Sequence, residues 1–234
     1  MSLPSKFREI LSSSVFHPTN DVSKNRMSTA SIAVSAQARA QSQAENALIS
    51  QGLKRHDAEL LDQLIVQYQH RLLRYLLFLT GSRELAEDLF QETWMRVLQR
   101  GSQYNGAARF DTWLFTIARN LLIDVRRKRT MQSLDELCAA GEDERAIEFA
   151  ADGPSPFDLY QNQEHGQHLA SAMITLDPLH REVLVLRFHE ELSLEEISRV
   201  TAAPLSTVKS RLYRGLAALK PRVESARAAQ AGAR

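Results

Sequence analysis

The sequence predicts an all-α protein with two small helical domains joined by a flexible linker, the C-terminal one a helix-turn-helix. Two observations support this fold class. Apolar residues recur at steps of three and four over long stretches, which is the spacing of one helix face, and no useful length of sequence alternates as a strand would. Between the two helical stretches lies a segment rich in acidic residues, glycine and proline.

Composition and periodicity also predict the domain boundaries. Residues 1–50 are rich in serine, alanine and glutamine and poor in aromatic residues, so we expect a disordered N-terminal tail. Helical periodicity predicts a first domain over residues 51–130 and a second over 163–224. The linker is then residues 131–162, and a C-terminal tail covers 225–234.

Capping residues divide the first domain into three predicted helices. The first ends at Gly81, because glycine readily adopts the left-handed conformation that closes a helix. Ser82 is placed to cap the second, which stops at Gly101. The third begins near Asp111 and runs into a strongly basic segment.

Capping residues predict a helix-turn-helix in the second domain. Asp177 is a favourable helix start, and Ser193 with Glu196 forms a capping box for the next helix. A turn over residues 202–204 follows, and Ser206 is expected to cap the last helix. The second helix of such a motif usually enters the major groove of DNA.

The last helix carries polar residues beside an apolar face formed by Val208, Leu212 and Leu216. The side chains expected to meet phosphates and base edges are Ser206, Thr207, Lys209, Ser210, Arg211, Tyr213 and Arg214. On this motif alone, a solvated polar face of a helical hairpin is the alternative interpretation.

A second candidate site combines aromatic residues with a basic helix. Aromatic rings can stack on unpaired bases while cationic side chains follow the backbone, which is how single-stranded nucleic acid is held. The candidates are Tyr104, Phe110, Trp113, Arg119, Arg126, Arg127 and Lys128. The alternative is that Trp113 and Phe115 are core residues and that the basic run is a solvated helix end.

An acidic helix face at Asp88, Gln91 and Glu92 is a third candidate. A solvated surface is its default interpretation. As a docking surface for a basic partner, it would contribute mainly specificity and association rate.

The sequence offers no pattern typical of an enzyme. We find no glycine-rich phosphate loop, no HExxH zinc motif and no Gly-x-Ser-x-Gly elbow. His165 and His168 have no further ligand nearby in sequence, and the single cysteine, Cys138, excludes an internal disulfide. We therefore expect no enzymatic activity, no metal, no cofactor and no small-molecule substrate.

The longest apolar run covers residues 76–79, far short of the roughly 20 residues that cross a bilayer, and no N-terminal signal pattern is present. A cytoplasmic location is therefore expected.

Several sequence strings, in order and spacing, resemble the extracytoplasmic-function (ECF) sigma factors of the sigma-70 family. They lie at residues 86–94 (AEDLFQETW), 110–120 (FDTWLFTIARN), 192–197 (LSLEEI) and 206–212 (STVKSRL). The resemblance covers about residues 50–222. It implies a sigma factor that binds core RNA polymerase and directs promoter-specific transcription initiation, with sigma region 2 in the first domain and sigma region 4 in the second.

The resemblance also implies roles for the candidate sites. The acidic face would dock on the clamp helices of the polymerase's largest subunit. The segment from Tyr104 to Asn120 would melt and hold the −10 element, with Asn120 near a flipped-out base and the basic run along the promoter backbone. The helix from Ser206 would read the −35 element, chiefly through Lys209, Arg211 and Arg214. An anti-sigma factor is the further implied partner.

The main alternative is a conventional helix-turn-helix regulator that binds duplex DNA and never melts it. It accounts for residues 178–220 but leaves residues 104–129 without a role. One position departs from the resemblance, because Ala202 stands where the family usually has glycine. A positive φ is costly for alanine, so we expect a turn of different shape.

Overall fold

The computed structural model describes residues 29–139 and 172–231, and within these ranges it contains helices and no strand. The fold class is confirmed. The N-terminal unit comprises α1 (Thr29–Lys54), α2 (Ala58–Thr80), α3 (Arg83–Arg100), a 3-10 turn (Gly101–Gln103) and α4 (Phe110–Ala139). The C-terminal unit comprises α5 (Pro178–Leu184), a π-helical turn (Val185–His189), α6 (Leu194–Thr201) and α7 (Leu205–Ala231).

Most of the predicted helix ends are confirmed by their hydrogen bonds. Gly81 is left-handed at φ 70°, and the side chain of Ser82 accepts a bond from the first turn of α3. Asp177 accepts two backbone N–H groups of α5. The capping box is complete, since Glu196 N–H donates to Ser193 Oγ at 3.2 Å and Ser193 N–H donates to Glu196 Oε2 at 2.7 Å.

The predicted disordered tail is wrong over residues 29–50, which form most of α1. Asn46, Ile49 and Leu53 are buried on one face of this helix. The Ser50 hydroxyl donates to the carbonyl of Tyr104 at 2.6 Å. Average composition missed these anchors, because a few correctly spaced residues are enough to dock a mostly polar helix. Residues 1–28 lie outside the described ranges.

Three other boundaries also differ from prediction. Helix α4 continues to Ala139, so the first nine residues of the predicted linker are helical, and α7 continues to Ala231 through most of the predicted C-terminal tail. Residues 140–171, which include the rest of the predicted linker as well as His165 and His168, lie outside the described ranges. Ser206 does not cap α7. The first N–H bond of that helix runs from Val208 to the carbonyl of Pro204 at 3.0 Å, which places Ser206 inside the first turn.

Helix α2 forms the centre of the N-terminal unit, and α3 and α4 pack on it. Leu72, Tyr75 and Leu76 of this helix are completely buried. In the C-terminal unit α5 and α7 approach closely at Gly215, where an added Cβ would lie 3.1 Å from the Leu184 side chain. The close approach explains why glycine occupies a helix interior there despite its cost of about 1 kcal/mol.

The two units pack directly on each other through buried ion pairs. Glu190 of the C-terminal unit has a fully buried side chain that accepts from Arg71 Nε at 2.7 Å and Arg74 Nη2 at 3.2 Å. Glu182 accepts from Arg119 Nε at 2.8 Å. Paired in this way, the carboxylates are satisfied away from water.

His189 belongs to the same contact between the units. Its ring centroid lies 5.5 Å from that of Phe78. Burial, and secondarily the charge of Arg74, lower the pKa of His189 from 6.5 to about 4. The neutral imidazole is therefore the form that fits this contact.

The turn of the helix-turn-helix adopts the conformation that glycine normally provides. Ala202 has φ 48° and ψ 36°, in the left-handed region, and its N–H bonds back to Arg199 O at 3.3 Å. The expectation that alanine would impose a different turn is wrong. Hydrogen bonds around the turn, including Ser198 Oγ to Ala203 O at 2.6 Å, hold the strained residue in place.

Because alanine at this position carries left-handed strain, Ala202→Gly should raise the free energy of unfolding by about 1 kcal/mol. Thermal unfolding would show this as a melting temperature higher by about 2–4 °C. Ala217→Gly, at an exposed position inside α7, is the control and should lower stability by about 1 kcal/mol. A destabilised Ala202→Gly protein would contradict the strain assigned to this turn.

Burial of neutral His189 should make the protein less stable in mild acid. The unfolded chain takes up the proton near pH 6.5 and the folded chain only near pH 4, so stability falls between these values. The loss at pH 5 relative to neutral pH should be about 2 kcal/mol. His189→Phe should remove this part of the pH dependence in denaturant titrations, whereas His70→Gln, on an exposed histidine, should keep it. If the free energy of unfolding depends on pH equally in the parent and in His189→Phe, burial of a neutral His189 is not the cause of the acid sensitivity.

Candidate nucleic-acid interface

Helix α7 presents its predicted contact residues on the side away from the core. Val208 and Leu212 are buried against the C-terminal unit, as the periodicity predicted. The contact residues that are exposed are Ser206, Lys209, Tyr213 and Arg214, and those half-buried are Thr207, Ser210 and Arg211. The helix therefore supplies hydroxyl and cationic side chains at one surface.

Part of this surface is concave. An open cleft of about 400 Å³ lies between the N-terminal ends of α5 and α7. The residues that line it are Asp177, Leu179, His180, Ser206, Thr207, Ser210, Arg211 and Arg214. Two arginines and three hydroxyls beside a helix N-terminus suit phosphate oxygens, which accept hydrogen bonds and carry negative charge.

The aromatic residues of the loop before α4 and of its first position are packed inward. Tyr104 and Phe110 are only 2% and 1% exposed, and their ring centroids lie 5.7 Å apart in an edge-to-face arrangement. Phe110 also packs 5.3 Å from Tyr68 of α2. Neither ring offers a face on which a base could stack, so direct DNA contact by these two residues does not fit this structure. Tyr104 lies in the loop before α4 and Phe110 is the first residue of that helix, so helical periodicity gave no signal that either ring is buried.

Trp113 differs from its two neighbours because it is half-buried. Its ring lies 5.2 Å from Tyr104 and 5.9 Å from Phe110. The two buried rings thus pack against the tryptophan ring and help to fix its position. Tyr104 also donates its hydroxyl to Ala108 O at 2.7 Å, and burial raises the pKa of that hydroxyl above its usual value.

Helix α1 holds the loop that carries Tyr104. At Gly106, φ is 74°, and an added Cβ would lie 3.1 Å from the carbonyl oxygen of Asn46. Glycine is required there both by the left-handed backbone and by the close approach. The loop position is therefore set by a helix that the sequence interpretation had treated as a tail.

The predicted basic residues of α4 have separate environments. Arg126 donates from Nη2 to Leu79 O at 2.7 Å, and burial lowers the pKa of its guanidinium. Arg119 is 13% exposed and bound to Glu182. Arg127 and Lys128 are exposed, as is Asn120. Two of the four cations are thus engaged within the protein, and two face outward.

A buried ion pair at the start of α4 escaped the sequence interpretation. Asp111 is 1% exposed and bonds Arg109 Nη2 at 2.5 Å and Arg71 Nη2 at 3.5 Å. An acidic group in the first helical turn also interacts favourably with the positive end of the helix dipole. A charged residue between Phe110 and Trp113 was the available signal, since charge inside an aromatic string suggests a partnered side chain.

The acidic face of α3 is exposed to solvent. Asp88 and Gln91 are exposed, and Glu92 pairs with Arg96 at 2.8 Å on the surface. Met95 and Leu98 continue the same face and are 49% and 45% exposed. Sequence reasoning passed over these two because periodicity alone does not separate an exposed apolar residue from a buried one.

Comparison with known proteins matches both units to one family. The model for Sigma-70 region 2 matches residues 64–131, and the model for Sigma-70, region 4 matches residues 172–220. The sigma factor SigW of Bacillus subtilis, an ECF RNA polymerase sigma factor, is 31% identical over 170 residues, which cover 72% of this chain and 91% of SigW. The chain belongs to the sigma-70 family, as an ECF sigma factor.

A second relative is the ECF RNA polymerase sigma factor SigE of Mycolicibacterium smegmatis. It is 35% identical over 154 residues, which cover 66% of this chain and 58% of SigE. This sigma factor thus spans somewhat more than half the length of SigE and nearly all of SigW.

Two solved structures share the fold. The sigma factor RpoE of Bartonella quintana, solved with the anti-sigma factor NepR, has a TM-score of 0.54 at 24% identity and covers 70% of this chain and 96% of RpoE. CnrH, solved with the cytosolic domain of CnrY, has a TM-score of 0.55 at 19% identity and covers 77% of this chain and 97% of CnrH. At these identities the likeness establishes the fold alone.

Membership of this family establishes promoter-directed transcription initiation with RNA polymerase as the function of the chain. Sigma factors are in general regulators of transcription and not enzymes. In the described ranges, no helix is long and apolar enough to cross a membrane, and no group of three or more candidate ligand residues is placed to hold a metal ion.

The exposed cation Lys209 should contribute one phosphate contact. The binding constant for a mixed-sequence DNA duplex is measured by fluorescence anisotropy at several salt concentrations. In Lys209→Ala, the magnitude of the slope of log binding constant against log salt concentration should fall by about one. Lys220→Ala removes an exposed cation farther along α7 and should leave the slope unchanged. Parallel slopes for the parent and Lys209→Ala would exclude this residue from the interface.

Proposed function

We propose that this sigma factor docks on core RNA polymerase through α3, recognises the −35 element through α7, and recognises and helps melt the −10 element through the start of α4. The exposed, polar α7 face on a complete helix-turn-helix is the observation that carries the proposal. The protein acts in the cytoplasm as a non-catalytic subunit and needs no cofactor.

For polymerase binding, α3 combines charge with apolar surface. Asp88, Gln91 and Glu92 supply polar and negative groups, and Met95 and Leu98 extend the same face. Protein interfaces commonly combine apolar residues such as methionine with polar and charged groups. The partner surface is then basic at one end and apolar at the other, and the clamp helices of the largest subunit are the proposed partner.

For the −35 element, the cleft at the N-terminal end of α7 receives a phosphate, which sets the register of the helix on DNA. Arg211 and Arg214 line this cleft. Lys209 and Arg214, both exposed, are positioned to reach base edges or the adjacent backbone. Guanine is the base that arginine reads best, through its O6 and N7 atoms.

For the −10 element, the proposed contacts shift from the aromatic rings to the exposed helix face. Asn120 offers an amide that can read the edge of an unpaired base, and Trp113 offers part of a ring. Arg127 and Lys128 follow the backbone. Tyr104 and Phe110 act by supporting Trp113 and the loop from within the core.

An anti-sigma factor is the further proposed partner. Two of the solved structures with this fold are complexes, one with NepR, an anti-sigma factor, and one with the cytosolic domain of CnrY. A partner of that kind would act by covering the α3 face or the DNA-binding faces until a stimulus releases it.

The proposal is tested by run-off transcription with purified bacterial core polymerase on promoter fragments from the same genome. Specific transcripts should depend on this protein. Asp88→Ala with Glu92→Ala should weaken core binding about tenfold or more, equivalent to at least about 1.4 kcal/mol, and lower transcript yield in step. Affinity would be measured directly with labelled protein.

The matched control is Glu59→Ala with Asp62→Ala, which removes two exposed carboxylates from α2 and should leave both readouts unchanged. Core binding at the parent level by the α3 variant would refute the docking surface. Failure of the parent protein to bind core or to yield transcripts would refute the proposed function as a whole.

A further inference from the structure

We propose that Ser50 of α1 is a positioning residue for recognition of the −10 element. Its hydroxyl fixes the loop of residues 101–109 between α3 and α4, and through this loop it sets where Trp113 meets the unpaired strand. The inference rests on the proposed function, because it concerns how the −10 contact surface is held in place. The family model for region 2 begins its match at residue 64, so α1 lies outside the matched segment.

Helix α1 approaches the loop at both of its glycines. An added Cβ at Gly101 would lie 3.3 Å from the Leu53 side chain, and one at Gly106 would lie 3.1 Å from Asn46 O. Distances this short leave no room for a side chain between the helix and the loop. Positions 46, 50 and 53 are four and three residues apart, so they share one face of α1. That face therefore follows the loop from its first residue to Gly106.

Ser50 supplies the polar contact on this face. It is 5% exposed, and its hydroxyl donates to Tyr104 O at 2.6 Å. Tyr104 N–H donates to Gly101 O at 3.0 Å and closes the 3-10 turn, so the chain leaves regular structure at this residue. An enclosed carbonyl needs a hydrogen-bond donor, because without one it loses its water and gains nothing in return. The Ser50 hydroxyl therefore fixes the position of the backbone at Tyr104.

Tyr104 transmits this position to the −10 contact surface. Its ring lies 5.2 Å from that of Trp113, the half-buried tryptophan proposed above as a −10 contact. Its hydroxyl donates to Ala108 O at 2.7 Å, so the same residue also holds the end of the loop that enters α4. Asn105 and Arg109 are exposed on the outer side of the loop. A shift of Tyr104 therefore moves a ring and the polar groups beside it together.

The other proposed surfaces do not depend on the Ser50 hydroxyl. The α3 face is fixed by buried Leu89 and Val97 of the same helix. Its Glu92 pairs with Arg96, also within α3. The −35 reader lies on α7 of the C-terminal unit. A positioning role therefore predicts a selective defect, in which binding of the unpaired −10 strand weakens while core binding and duplex binding persist.

The test uses the full chain assembled with core polymerase and compares the parent with Ser50→Ala. The probe is a labelled single-stranded oligonucleotide that carries the non-template −10 sequence of a promoter mapped by run-off transcription. Anisotropy gives its dissociation constant beside that of a mixed-sequence strand of equal length. Ser50→Ala should bind the −10 strand about tenfold more weakly, as expected when a hydrogen bond that orders the loop is lost. It should bind core polymerase and a mixed-sequence duplex with the parent affinities.

The matched control is Thr201→Val, which removes another buried hydroxyl that donates to a backbone carbonyl. Thr201 Oγ1 bonds Ile197 O at 2.7 Å in α6, in the C-terminal unit. This variant should bind the −10 strand like the parent, because its lost bond does not contact the loop. Thermal unfolding of both variants verifies that each is folded.

Tryptophan fluorescence tests the structural step without DNA. In a Trp94→Phe background, Trp113 is the single remaining tryptophan. Acrylamide should quench its emission more strongly in Ser50→Ala than in the parent, because Tyr104 no longer holds the ring in its half-buried position. Thr201→Val should leave the quenching constant unchanged.

Parent affinity for the −10 strand in Ser50→Ala would overturn the inference. An equal loss of core binding, or an equal loss of −10 binding in Thr201→Val, would also overturn it, since either would indicate a general defect in stability. If the parent does not prefer the −10 strand to the mixed-sequence strand, the proposed −10 recognition fails instead. The quenching result then still decides whether Ser50 fixes the position of Trp113.

Discussion

Arg71 connects the parts of this molecule that matter for its function. Its guanidinium bonds Glu190 of the C-terminal unit and Asp111 at the start of α4, and it lies over the rings of Tyr68 and Phe115 at 5.2 and 5.8 Å. A cation between two buried carboxylates is stable only while both are placed correctly, because an unpaired buried charge is costly. The position of α4 and the docking of the C-terminal unit are thus linked through one side chain.

In helix α4 and the loop before it, buried residues fix the backbone and exposed residues form the surface. Phe110 and Tyr104 give the loop its shape, and Asn120, Arg127 and Lys128 face outward from the helix. Such a division suits the −10 contact surface proposed above, because contact groups are precise only when packed residues fix their backbone. The position of the loop also depends on its contacts with α1, a helix that lies outside the matched family segment.

Local signals in the sequence predicted local features of the structure well. The capping residues Ser82, Asp177 and Ser193 act as expected, because a cap depends only on side-chain reach to the next turn. The predictions that fell short concern α1 and the aromatic loop. In both, burial depends on which distant surface a residue meets, as Ser50 meets Tyr104, and no local pattern contains that information. The α3 face was recognised as acidic, but its apolar extension at Met95 was not.

The sequence by itself determined the helical fold class, the helix-turn-helix and the family, because periodicity, caps and ordered motifs are properties of short segments. Tertiary structure alone decided which aromatic rings are core, which cations of α4 are enclosed, and that Glu182 and Glu190 meet arginines more than 60 residues away along the chain. Those outcomes arise from packing between distant segments, where desolvation makes the pairing of each buried charge obligatory.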